Sequence, residues 1–108
     1  MDEQEFRDRS SSALDDLSRR LATASDRHNF ESDFNSGALS IEFEEPPAKF
    51  VVSPNAPVRQ IWVSAHSRSF KLDWDPARQA FVLAASGQAL VDLIAQAIGQ
   101  QLSETVAL

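Results

Sequence analysis

The chain has 108 residues, 43% of them hydrophobic and 24% charged, which suits one folded domain of ordinary size rather than a disordered chain. It has no cysteine, which excludes disulfides, thiolate metal sites and thiol nucleophiles, and no apolar run approaches the ~20 residues that span a bilayer. Net charge is −6, concentrated in residues 1–45, where twelve acids face five arginines; such a half repels nucleic-acid phosphates and anionic lipid and attracts cations or a basic protein surface.

The spacing of Phe6, Ala13, Leu14, Leu17 and Leu21 predicts a helix over about 3–24. Asp8, Ser12, Asp15, Asp16, Arg19 and Arg20 occupy its opposite face, and Ser25, Asp26 and Asn29 end it by favouring local turns. Leu39, Ile41 and Phe43 alternate with Ser40, Glu42 and Glu44, which predicts a half-buried strand over 38–44 between Gly37 and the Pro46-Pro47 pair. Further strands are expected at 48–53, 58–65, 69–74 and 80–83, separated by SPNAP, HSRS and Asp75-Pro76. A last helix over 87–102 takes Ser86 as its N-cap and buries Leu90, Ile94, Ala97, Ile98 and Leu102. Only a few residues follow it, so the groove between the helices is expected to be little covered.

Short turns favour an antiparallel meander over parallel crossovers. The expected fold class is therefore α+β: a two-layer sandwich in which an antiparallel sheet of about five to six strands is flanked on one face by the N- and C-terminal helices. The other sheet face is left to water. Parity then decides the direction of Trp62 in PVRQIWVSA. If Ile61 and Val63 face the helices, Gln60, Trp62 and Ser64 face outward, and Lys71 and Asp73 join them from the neighbouring strand. Burying Trp62 instead would expel two β-branched residues and bury Gln60. An aromatic rimmed by polar groups on an open face is the usual form of a protein-docking hot spot; a ring merely shielded by long neighbours is the other reading.

Catalytic chemistry is thinly represented. His28 and His66 lie in different turns without a partner at ligand spacing, although His28 borders the acidic segment and is able to join it. Three glycines make no phosphate loop, and Ser10–Ser12 lie on a helix without an oxyanion loop. Asp15–Arg19 and Asp16–Arg20 stand at i,i+4, so these acids read equally as a salt-bridged solvated face and as cation ligands.

NAPVRQIWVSA, FKLDWD, the aromatic-led strand at Phe81, SGQALVDLI, the pair Glu5-Phe6 and FESDFNSGALSIEFE together resemble the frataxin family over nearly the whole chain, most closely its bacterial (CyaY) form. The resemblance implies a helix–sheet–helix sandwich that binds iron weakly through surface carboxylates. It also implies docking on a cysteine desulfurase and an iron–sulfur scaffold protein, with regulation of sulfur delivery and supply of iron. The metal candidates are Asp15, Asp16, Asp26, Glu31, Asp33, Glu42 and Glu44, with His28; Glu45 lies just past the same strand. Those for partner binding are Asn55, Gln60, Trp62, Lys71 and Asp73. Exposed carboxylates are hard ligands suited to ferrous and ferric iron, and without a closed cage they bind loosely, in sites that calcium, manganese or cobalt can share. Two other readings stand beside this: a ferroxidase acting at clustered carboxylates, and an interaction module that binds no metal. Neither nucleic acid nor membrane is expected as a partner. The default is a monomer with iron-dependent association as a variant, in a bacterial cytoplasm or as a mature organelle protein.

Overall fold

The apolar stripe of the first segment winds into α1 (Glu3–Ala24), whose start is capped by the Asp2 carboxylate accepting the Glu5 backbone N–H at 2.7 Å. Phe6, Ser10, Leu14, Leu17, Leu21 and Ala24 form its buried face. In the computed structural model, which describes Met1–Leu108, six strands follow: β1 (Glu31–Asn35), β2 (Ala38–Glu44), β3 (Pro47–Asn55), β4 (Gln60–Ala65), β5 (Arg68–Asp75) and β6 (Ala80–Leu83). Helix α2 (Leu90–Leu102) comes last. Each strand pairs antiparallel with its chain neighbours, giving the order β1-β2-β3-β4-β5-β6. The helix–sheet–helix sandwich expected from the sequence is the architecture found.

The core lies between the helices and one sheet face. Leu39, Ile41, Phe43, Phe50, Val52, Ile61, Val63 and Leu72 alternate inward from the strands and meet Phe6, Leu14, Leu17 and Leu21 of α1 and Leu90, Leu93, Ile94, Ala97 and Ile98 of α2. Aromatic rings tie the layers together. Phe6 meets Phe81 edge-on at 5.9 Å and 89°, and Phe43 lies 4.8 Å from Phe50.

Four features differ from the sequence expectation. The sheet gains β1 at its edge, because Ser36 and Gly37, at φ 55° and 80°, make the two-residue turn that folds ESDFN back onto β2. Strand β3 runs on through Pro54, opposite Ile61, rather than stopping at Ser53. Strand β2 pairs only as far as Val52, so Pro54 has a neighbouring strand on one side alone, a setting in which a missing N–H is tolerated.

The start of α2 is also corrected. Gly87 adopts φ 75°, its N–H bonds Leu83, and Ala89 bridges to Val82, so residues before Leu90 return to the sheet instead of entering the helix. Ser86 therefore does not cap α2; its hydroxyl bonds Gln88, and Ala89 occupies the N-cap without a side-chain bond. Finally, the end of the chain does cover the core. Val106 and Leu108 are half-buried against it, and Arg20 donates to the Leu108 carbonyl at 3.1 Å.

Candidate docking face and acidic edge

Register places the five partner-binding candidates in one patch. Gln60 of β4 stands opposite Asn55 of β3 and Asp73 of β5, while Trp62 stands opposite Ser53 and Lys71. All point away from the helices, because Ile61 and Val63 between them are fully buried. Trp62 retains 37% exposure.

The ring is held in place as well as exposed. Its Nε1–H donates to the Gln60 side-chain oxygen at 3.0 Å, and the Gln60 amide donates to Asp73 at 3.1 Å. The Lys71 ammonium lies 5.0 Å from the ring centroid, within cation–π range. Both readings of the sequence meet here: long neighbours shield part of the indole, and the rest stands in water. A side chain fixed in this way loses less rotamer freedom when a partner covers it. Ser53, across from Trp62, and Val51, two residues before it in β3, share this outward face, and neither was singled out from the sequence. Parity along the expected strand over 48–53 already places both on the face of Trp62.

The carboxylates form a separate district. Glu31 and Asp33 on β1 and Glu42 and Glu44 on β2 all project from the open face at the sheet's β1 edge, and Glu31 stands directly opposite Glu42. Two like charges in facing positions destabilise a sheet. Lys49 on β3 relieves part of this by reaching Glu42 at 3.7 Å. Asp26 is exposed in the turn after α1. Asp15 pairs with Arg19 at 2.5 Å and Asp16 with Arg20 at 2.8 Å, so both helix acids are engaged with arginines. No three of the chain's histidine and carboxylate side chains gather as a group able to hold a metal ion.

His28 takes a different partner from the acids of its own segment. Its Nδ1 lies 3.4 Å from the Glu104 carboxylate, beyond α2, which ties the α1–β1 turn to the end of the chain. His66 contacts the Ala97 carbonyl at 3.1 Å and packs on Phe50 at 5.0 Å, a structural role in the β4–β5 turn. No helix is long and apolar enough to cross a membrane.

Comparisons with known proteins agree with this geometry. The profile of the Frataxin-like domain matches residues 1–104. The iron–sulfur cluster assembly protein CyaY of Azotobacter vinelandii is 30% identical over 93 residues, covering 84% of this chain and 84% of that protein. The protein of the same name from Pseudomonas aeruginosa is 33% identical over 79 residues, covering 71% of this chain and 68% of its own. Among solved structures, frataxin from Psychromonas ingrahamii aligns with a TM-score of 0.76 at 22% identity, over 98% of this chain and 96% of that one, a likeness of fold.

Proposed function

The chain belongs to the frataxin family, and from that premise we propose that it serves iron–sulfur cluster assembly as an iron-binding regulator and iron donor. It docks on the cysteine desulfurase through its acidic half and on the scaffold protein through the open sheet face. The observation that carries this reading is the indole of Trp62, held outward by Gln60 and Lys71 on the open sheet face with 37% of its surface still exposed. The family relatives that share the chain's sequence are bacterial proteins of iron–sulfur cluster assembly, which supports the same role here and a cytoplasmic setting.

Iron in this reading is cargo. Glu31, Asp33, Glu42 and Glu44 present hard oxygen donors on one face, open to water and without an enclosing cage. Such a set suits loose association of ferrous or ferric iron, shared with other divalent cations, more than a resident cofactor. A cation between Glu31 and Glu42 also offsets their mutual repulsion.

Two measurements test the proposal. Association with the desulfurase should weaken by roughly tenfold or more between 0.1 M and 1 M salt, as the Debye length falls from about 10 Å to about 3 Å. Salt-independent retention would remove the acidic surface from the docking. Anaerobic titration with Fe(II) or Co(II) to about 1 mM should shift or broaden the backbone amide signals of Asp26, Glu31, Asp33, Glu42 and Glu44 before those of α2. An unchanged spectrum would leave an interaction module that binds no metal.

A further inference from the structure

The β1–β2 hairpin leaves one long side of the sheet open. Its two-residue turn makes Asn35↔Ala38 a hydrogen-bonded pair, so Asp33 and Glu31 also bond toward β2. The intervening Ser32 and Phe34 therefore turn their backbone N–H and C=O groups away from the sheet. None of these four groups finds a partner among the backbone bonds outside the regular elements or among the side-chain bonds. The opposite edge differs, because β6 is bridged by Ala89. Natural edges are usually protected against strand addition, and this one carries protection of only one kind: the carboxylates of Glu31 and Asp33.

Phe34 makes the edge more specific. Parity places it on the helix side of the sheet, opposite buried Leu39, yet it remains 38% exposed. A shallow hollow adjoins the edge where α1 ends, lined by Ala22, Ser25, His28, Asn29, Phe30 and Ser32.

We propose that the free edge of β1 receives, as a seventh strand, an extended segment of a partner protein in which basic and apolar residues alternate. The incoming backbone would bond Ser32 and Phe34. Its side chains on the open face would lie beside Glu31 and Asp33, which calls for lysine or arginine, and those on the helix side would lie against Phe34, which calls for apolar groups. A second copy of this chain is a poor occupant, since pairing two β1 edges sets these carboxylates against each other. The inference concerns backbone pairing at β1 and stands apart from the Trp62 face, so its test requires neither desulfurase nor scaffold.

The probe is an end-capped heptapeptide of alternating lysine and valine, with two controls: alternating glutamate and valine, and the lysine peptide N-methylated at every residue, which blocks both of its edges. With the lysine peptide at about ten times its Kd, exchange of the Ser32 and Phe34 amide protons should slow by about tenfold. The glutamate peptide should give no protection. The N-methylated peptide keeps its charge but cannot form the ladder, and it should bind at least about tenfold more weakly. Ser32→Pro, which deletes an edge N–H facing solvent, should abolish the protection while the melting temperature stays within a few degrees of the parent. Equal binding of the N-methylated peptide, or shifts at Glu31 and Asp33 without slowed exchange at Ser32 and Phe34, would show association by charge alone and overturn the proposal. The N-methylated comparison uses the parent chain and so holds even if Ser32→Pro unfolds.

Discussion

Replacing Phe6 with alanine is expected to destabilise the fold by about 3–5 kcal/mol and to lower the melting temperature by roughly 15 °C or more. Phe6 is fully shielded, and it is the only large apolar residue in the first two turns of α1 to reach the core, the next buried position being Ser10. Its ring stands edge-on to Phe81, and Phe81 meets Trp74 at 5.1 Å. The Arg9 guanidinium then lies 4.9 Å from the Trp74 ring, closing a chain of contacts that fastens the start of α1 to β5 and β6. Alanine would leave a cavity at its head, with the loss of transfer free energy added to that of the void. Urea unfolding should show a lower midpoint with an unchanged slope. Phe6→Leu keeps much of the volume and should recover most of the loss. A cost below about 1 kcal/mol for alanine would mean that α1 is anchored elsewhere.

Helix α1 and the alternation of the strands were legible because both are local periodicities, and the inward residues of β2 and β4 are the ones the structure buries. Strand β1 was not. ESDFN has a single apolar residue, so no alternation shows, and the strand exists because a turn at Ser36-Gly37 presses it against β2. The start of α2 misled for a related reason. Ser86 followed by an apolar run looks like a cap, but Gly87 in the left-handed region sends the chain back to Val82 first. The fate of Pro54 depended on where β2 ends, which no local pattern around Pro54 contains.

In the site, direction was legible and contact was not. Period-two alternation places Trp62 outside and beside Gln60, two residues away on the same strand, which accepts its N–H; the Lys71 contact and the Asp73 partner of Gln60 come from the register of β4 against β5, a long-range property. The Asp15–Arg19 and Asp16–Arg20 pairs could be read from four-residue spacing. The pairing of His28 with Glu104 spans the chain, and no sequence signal marks it.

Trp62→Ala should weaken binding to the scaffold protein by about 30-fold or more, which corresponds to about 2 kcal/mol, the level that marks a hot-spot aromatic. The melting temperature should move by only a few degrees, since the ring is not among the side chains packed against the core and its contacts with Lys71 across the sheet and Gln60 on its own strand are worth about 1 kcal/mol. This separation makes the measurement decisive. A folding defect would lower binding and stability together, and a docking residue lowers binding alone. Titration calorimetry and a thermal melt on the same preparations distinguish the two. Trp62→Phe retains the ring over which Lys71 lies but loses the N–H to Gln60, so it should fall between parent and alanine. Lys71→Ala frees one face of the indole and should cost less than removing the indole itself. Unchanged scaffold affinity in Trp62→Ala would assign the outward ring to the chain's own surface, shielded by its neighbours, and the open face would then need another purpose.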